Sequence, residues 1–143
     1  NRSKLDSGKE NGAIYHKTLE SLMSVSDVLS VCCPASKETI NLINKKTISL
    51  LPNGAIVTNV ARGDIVDDDA LIEALDSKKV SAVGLDVYKN EPKLNPGYLK
   101  HSRAFVLPHL GSATFETRTA MANLAIDNIS EFFQTGSCKN KVN

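Results

Sequence analysis

The sequence has no tryptophan and only a few other aromatic residues and cysteines: 143 residues include three tyrosines, four phenylalanines and three cysteines. Cys32 and Cys33 are adjacent within an apolar run, and Cys138 stands in the polar tail. An odd count with this spacing provides neither a disulfide framework nor paired metal ligands. Because buried cysteine ordinarily behaves as a small hydrophobic residue, we expect three thiols and no metal site.

Long hydrophobic runs and an excess of either charge are also missing. No apolar stretch approaches the length of a membrane span, and the amino-terminal stretch is too polar for a signal peptide. The formal net charge is +1, and the lysines are scattered among acids without forming a basic face. This composition argues against nucleic acid and membrane partners. It is typical of one soluble globular domain, with the cytoplasm as its default location.

Short apolar runs alternate with helical patterns along the chain. The runs at 28–33, 55–60, 82–87 and 104–107 predict buried strands, and 13–15 is a candidate for a further short strand. Apolar residues at helical spacing predict helices over 18–24, 68–77 and 113–134, and a helical turn over 45–49. A strand, a helix and a strand in succession predict a parallel pair with a right-handed crossover, and hence an α/β fold.

Three polar segments follow directly on these runs: NVARGD at 59–64, DVYKNEP at 86–92 and PHLGSAT at 108–114. The carboxyl ends of parallel strands meet at one edge of the sheet, which is where open parallel sheets bind ligands. We therefore expect Arg62, Glu91 and His109 to converge at that edge. An arginine fork binds carboxylates, and an imidazole beside a carboxylate can hold and deliver a proton near neutral pH. The pattern indicates redox or proton chemistry on a small organic acid.

Each candidate also has a simpler interpretation. Taken singly, Arg62 and Glu91 are more often solvated or ion-paired surface residues. His109 is the most informative histidine, because the proline before it and the glycine and serine after it leave its ring little cover. Asp86 closes an apolar run, where it could accept a hydrogen bond from an amide-bearing ligand or simply form a cap or turn. The sequence leaves both interpretations of Asp86 open.

In this order, the segments resemble the D-isomer-specific 2-hydroxyacid dehydrogenases, and the similarity extends over about 19–133. The family's arginine in N-x-A-R-G, glutamate in D-V-x-x-x-E-P and histidine in P-H-x-G-S map onto Arg62, Glu91 and His109. The resemblance implies that Arg62 binds the carboxylate and keto oxygen of a 2-keto acid. It also implies that His109 donates a proton to the forming hydroxyl and that Glu91 pairs with the histidine. A nicotinamide cofactor would supply the hydride.

The same resemblance implies a set of cofactor contacts, spread over the chain from its first residues to the last motif. They are Arg2, Ser3, Cys33, Pro34, Thr39, Val60, Ala61, Arg62, Asp86, His109, Gly111 and Ser112. Arg2 stands where NAD-preferring members usually carry an acid that binds the ribose. A guanidinium there suits the 2′-phosphate of NADP, so we expect NADP, with NAD as the alternative. This is closest to the glyoxylate and hydroxypyruvate reductase branch.

The amino end departs from the family. No G-x-G-x-x-G occurs in the sequence, and the family's first strand is missing. We therefore expect 1–112 to be a partial Rossmann-type dinucleotide-binding domain, and 113–143 a helix and tail that in the family return toward a substrate domain. The intact protein is expected to be a homodimeric oxidoreductase acting on a small anionic 2-keto acid, and the isolated chain to bind cofactor weakly and turn over little or nothing. A dinucleotide-sensing corepressor-like protein and an inert truncated product remain alternatives.

Overall fold

The computed structural model describes residues 3–142, apart from the side chain of Ser7, and divides the chain into two compact units. The first unit ends at Pro108 and the second begins at His109. The first contains a four-stranded parallel sheet in the order β1-β2-β3-β4. The strands are β1 (Val28–Val31), β2 (Ala55–Asn59), β3 (Val80–Leu85) and β4 (Ala104–Val106). The predicted α/β fold with a parallel sheet is confirmed.

Short helices precede the first strand of the first unit and connect the later ones. They are α1 (Ser7–Glu10), α2 (Leu19–Met23), α3 (Lys45–Ser49) and α4 (Asp68–Asp76), with single 3-10 turns at Gly63–Ile65 and Tyr98–Lys100. Side chains of Thr18, Asn44 and Asp67 accept hydrogen bonds from backbone N–H groups in the first turns of α2, α3 and α4. These caps explain why the predicted helices begin where they do. The sequence did not predict α1 or the 3-10 turns, because they are too short to show a period.

The crossover from β2 through α4 to β3 forms the centre of the core. Leu71 and Leu75 on the inner face of α4 are fully buried, as are Val57 of β2 and Val80 of β3. Each such side chain contributes about 1.5–3 kcal/mol to the free energy of unfolding. The guanidinium of Arg103 donates to the carbonyl oxygen of Leu75 at 2.9 Å. This carbonyl, in the last turn of α4, also accepts from the N–H of Lys78 at 3.2 Å.

The candidate strand at 13–15 was wrong, and so were some boundaries of the other four: β2 and β4 each end one residue earlier than predicted, and β1 and β3 differ by two residues. Residues 13–15 are not in a strand: the N–H of Ala13 bonds back to Glu10, and Ile14 is exposed without a neighbouring strand. β1 ends at Val31 rather than at 33. The carbonyl of Val31 accepts the last hydrogen bond along this strand, from the N–H of Val60 just after β2. β3 runs from Val80 to Leu85 rather than over 82–87. Because apolar residues continue into the loop after Leu85, the sequence pattern placed the end of the strand two residues too late.

The register of the sheet aligns the carboxyl ends of the strands. Val31 lies opposite Asn59, Asn59 opposite Leu85, and Leu85 opposite Val106. The residues that follow each strand therefore leave the sheet at the same edge. Both the 59–64 segment and the 86–92 segment begin there, as the sequence indicated.

The second unit consists mainly of the helix α5, Phe115–Thr135. The side chain of Thr114 accepts a hydrogen bond from the N–H of Thr117, and Gly136 ends the helix in the left-handed region at φ 77°. A residue without Cβ adopts that conformation at no steric cost. The predicted helix and its glycine stop are confirmed. None of the residues of α5, all of which the structure describes, is buried.

Candidate functional site

The loop that carries Arg62 is held by the last residue of β2. Asn59 is 1% exposed, and its side-chain Nδ2 donates to the carbonyl oxygen of Arg62 at 2.9 Å. Its Oδ1 accepts from the N–H of Ala61 at 3.0 Å. One buried amide thus folds the chain sharply as it leaves the sheet. Arg62 itself is exposed, and its Nη1 donates to the carbonyl of Ala61 at 2.6 Å.

Gly63 brings this loop against the loop that follows β3. A Cβ built on Gly63 would overlap the carbonyl carbon and oxygen of Tyr88 and the nitrogen of Lys89. No side chain fits between the two backbones, so this close approach requires glycine. The loop of Arg62 and the loop of Glu91 are therefore in direct backbone contact.

Glu91 folds back onto the same stretch of backbone. Its Oε1 accepts a hydrogen bond from the N–H of Tyr88 at 3.0 Å. Asn90 is in the left-handed region at φ 60°, and its carbonyl accepts from the N–H of Lys93 at 2.9 Å. The loop is a tight turn in which the Tyr88–Lys89 peptide contacts Gly63 while the N–H of Tyr88 holds the Glu91 carboxylate.

A buried pair anchors the far end of this loop to α4. The phenol of Tyr98 donates to Oδ1 of Asp68 at 2.9 Å, and Tyr98 is 1% exposed. Burial raises the pKa of the Asp68 carboxyl, and the Tyr98 hydrogen bond only partly offsets this. Burial together with the neighbouring Asp68 charge also raises the pKa of the Tyr98 hydroxyl. Nδ2 of Asn95 donates to Asp69 at 3.1 Å beside this pair. Both ends of the 86–98 segment are therefore fixed.

Several of the predicted cofactor contacts line one cavity of the first unit, with a volume of about 760 Å³. Ser3, Cys33, Pro34 and Thr39 all face it, together with apolar residues that include Leu29. The hydroxyl of Thr39 donates to the carbonyl of Pro34 at 2.9 Å, which closes the turn after β1. A cavity of this size, mainly apolar with a few polar groups, suits a small organic ligand. Arg2 lies outside the described residues.

Asp86, Val60 and Ala61 lie at the shared strand edge. The N–H of Asp86 donates to the carbonyl of Asn59 at 3.0 Å, and Asp86 is 9% exposed. The backbone contact makes Asp86 part of the β2–β3 edge. Val60 is exposed and Ala61 is half-buried. Both interpretations of the Asp86 side chain, a ligand contact and a turn residue, remain predictions.

His109, Gly111 and Ser112 belong to the second unit. His109 is in the left-handed region at φ 57°, where non-glycine residues are uncommon and asparagine, aspartate and histidine are the most frequent of them. The carbonyl of Leu110 accepts from the N–H of Ala113 at 2.9 Å, so the segment forms a turn before α5. That His109 joins Arg62 and Glu91 in one site stays a prediction.

Sequence reasoning missed Asn59 and Tyr88 as functional candidates. Asn59 is a polar residue at the end of an apolar run, which is the same signal that drew attention to Asp86. Tyr88 contributes through its backbone, and no sequence pattern shows that contribution.

Over 3–142 there is no cluster of three or more His, Cys, Asp or Glu residues that could hold a metal ion. No helix within that range is long and apolar enough to span a membrane. The three cysteines are free.

Comparison with known proteins gives consistent matches. Residues 1–111 match the family model described as D-isomer specific 2-hydroxyacid dehydrogenase, NAD binding domain. A glycerate dehydrogenase from Hyphomicrobium methylovorum is 43% identical over 121 residues, which are 85% of this chain and 38% of that protein. Glyoxylate reductase 1 from Saccharomyces cerevisiae is 38% identical over 136 residues, 95% of this chain and 39% of that protein.

A solved structure has the same fold. The NADPH-dependent glyoxylate/hydroxypyruvate reductase from Sinorhizobium meliloti, in complex with NADP and malonate, superposes with a TM-score of 0.90 at 34% identity. The match covers 97% of this chain and 43% of that one. The chain therefore spans less than half the length of these relatives.

Proposed function

Because the chain belongs to the D-isomer specific 2-hydroxyacid dehydrogenase family, through that family's NAD-binding domain, we propose that it is part of an NADP-preferring 2-keto acid reductase. The substrate class is small and anionic, with glyoxylate and hydroxypyruvate as the first candidates. Relatives and a structural neighbour with those activities support this choice. The product would be the D-2-hydroxy acid, and NAD is the alternative cofactor.

The backbone contact between Gly63 and Tyr88 is the observation that supports this proposal most directly. It holds the loop of Arg62 against the loop of Glu91, at the edge where parallel sheets bind their ligands. The guanidinium would bind the substrate carboxylate and the keto oxygen. Such a clamp orients the carbonyl carbon for attack.

The cavity lined by Cys33, Pro34 and Thr39 would hold the dinucleotide. A bound nicotinamide would supply the hydride for the carbonyl carbon. His109 would give its proton to the keto oxygen as the carbonyl double bond becomes a single bond, so that a hydroxyl group results. Glu91 would stabilise the charged imidazole before transfer. The backbone of His109 is in the left-handed region, and such sparsely populated conformations occur often at active sites, which supports this role for His109.

Steady-state reduction of glyoxylate and hydroxypyruvate by the intact protein, followed through NADPH consumption, tests this proposal. Arg62→Lys keeps the positive charge but loses the planar guanidinium that can bind a carboxylate through two hydrogen bonds. The KM for the keto acid should therefore rise roughly ten- to a hundred-fold. Arg103→Lys is the matched control. In the described contacts, Arg103 bonds only to the backbone carbonyls of Ser81 and Leu75, which belong to neither the Arg62 loop nor the Glu91 loop. Binding of NADPH without turnover of any 2-keto acid would instead favour the corepressor-like alternative.

A further inference from the structure

We infer that Asn59 is a positioning residue for substrate binding, because its buried amide sets the backbone from which Arg62 projects. This inference rests on the proposed function of Arg62. Both polar ends of the amide are used within that one loop: Nδ2 bonds to the carbonyl of Arg62, and Oδ1 accepts from Ala61. The side chain is 1% exposed, so water does not compete for either bond.

The main chain of Asn59 adds a second link. Its carbonyl accepts from the N–H of Asp86 at 3.0 Å, at the start of the loop that leads to Glu91. Gly63 then contacts the Tyr88–Lys89 peptide beyond it. Asn59 is therefore joined to the Arg62 loop through its side chain and to the Glu91 loop through its backbone.

Removal of the amide would leave the N–H of Ala61 and the carbonyl of Arg62 without these partners. Ala61 is half-buried, and a polar backbone group there must either lose a hydrogen bond or move toward water. Such movement rotates the peptide that carries Arg62. An ångström-scale displacement of a substrate clamp can lower the rate by roughly a hundred-fold.

Asn44 provides a matched control elsewhere in the fold. Its Oδ1 accepts from the N–H groups of Lys46 and Thr47 at 3.0 and 3.2 Å, and its Nδ2 donates to the carbonyl of Asn41 at 2.8 Å. It caps α3 and touches neither the Arg62 loop nor the Glu91 loop in any described contact. Asn59→Ala and Asn44→Ala thus remove similar bonds, but only one of them supports Arg62.

The experiment compares wild type, Asn59→Ala, Asn59→Asp and Asn44→Ala in the intact protein. We expect the kcat/KM for glyoxylate to fall roughly ten- to a hundred-fold in Asn59→Ala, with a raised KM for glyoxylate. In Asn59→Asp the side chain keeps its shape, but an ionised carboxylate cannot donate a hydrogen bond to the carbonyl of Arg62. The kcat/KM for glyoxylate should therefore fall as it does in Asn59→Ala. Asn44→Ala should lower Tm without changing the KM for glyoxylate.

Amide hydrogen exchange in the same proteins separates the two proposals. Asn59→Ala should accelerate exchange at Ala61, whose N–H loses its acceptor, and Asn44→Ala should not. If wild type reduces no 2-keto acid, the proposed function fails, and the exchange at Ala61 still decides whether Asn59 sets this loop. Equal changes in substrate KM for both alanine variants, wild-type behaviour of Asn59→Asp, or unchanged exchange at Ala61 would overturn the inference.

Discussion

The α-carbon of Gly63 lies against the peptide bond that follows Tyr88, so closely that no side chain can be accommodated between the two loops. The two residues follow different strands, and each lies within a motif that the sequence singled out: Gly63 in 59–64 and Tyr88 in 86–92. Tyr88 also holds the Glu91 carboxylate through its N–H. A single backbone contact therefore links the arginine loop to the glutamate loop.

Gly63→Ala should separate these loops. The added methyl group overlaps backbone atoms that cannot rotate away, so we expect a loss of about 1–3 kcal/mol in the free energy of unfolding. The kcat/KM for a 2-keto acid should fall as well. Urea titration of the intact protein measures the first effect. Gly84→Ala is the control, since a Cβ there meets only Thr58 Cγ2 at 3.4 Å, an ordinary contact. If Gly63→Ala and Gly84→Ala had equal free energies of unfolding, the close contact between Gly63 and the Tyr88 backbone would be contradicted.

The buried Asp68 predicts a pH effect on stability. Burial raises its pKa above the usual 3.8, so the folded state binds this proton more tightly than the unfolded state does. Stability from this group is therefore greatest when pH falls to 3.8 or below, and it decreases as pH rises through the raised pKa. Asp68→Asn removes the titration and keeps an oxygen that can accept from Tyr98.

We expect wild type to gain stability relative to Asp68→Asn as pH falls from neutral toward 3.8, measured by urea unfolding across that range. Asp127→Asn serves as the control, because Asp127 is exposed on α5 and its charge is not among those that shift the Asp68 pKa. A constant difference between wild type and Asp68→Asn at every pH would refute the effect of burial.

His109→Gln should depress kcat roughly a hundred- to ten-thousand-fold, far more than it weakens the affinity for NADPH. The reason is that a proton donor acts mainly in the transition state. Stopped-flow or steady-state turnover together with a cofactor titration measures both quantities. His101→Gln is the control, since His101 contacts Asp76 at 3.3 Å and has no assigned part in the reaction. Losses of the same size in turnover and in cofactor affinity would argue against the role of His109.

Arg2→Asp should shift the preference of the intact protein from NADPH toward NADH, because a carboxylate repels the 2′-phosphate and binds the ribose hydroxyls. The measurement is the ratio of kcat/KM for the two cofactors. Lys4→Asp changes the net charge by the same amount and should leave the ratio nearly constant. An unchanged ratio in Arg2→Asp would remove the basis for choosing NADP.

Local patterns predicted the strands and helices well where a period was long enough to read. The apolar face of α4 includes Leu71 and Leu75, which are buried as expected, and Gly136 ends α5 as expected. Errors occurred where tertiary hydrogen bonds decide the boundary. Cys33 continues an apolar run, but it lies beyond Val31, whose carbonyl accepts the last hydrogen bond along β1.

The candidate site was predictable only in part. Arg62 and Glu91 were identified from residue type and from position after a strand, and the aligned strand ends agree with that reasoning. Asn59 and Tyr88 were missed. Asn59 acts through an amide that only the folded sheet edge buries, and Tyr88 acts through a backbone contact with Gly63, which is distant in the chain.

The amino-acid order by itself determined the alternation of strands and helices, and with it the parallel sheet and the edge at which its polar segments begin. It did so because side-chain period and turn residues act over a few neighbouring positions. Only the tertiary structure decided that Asn59 turns the Arg62 loop, that Gly63 meets the backbone of Tyr88, and that Tyr98 binds Asp68. The last two contacts join residues distant in the chain, and the first depends on the burial of the Asn59 amide at the sheet edge. Their energies depend on packing geometry and the exclusion of water, which no local pattern records.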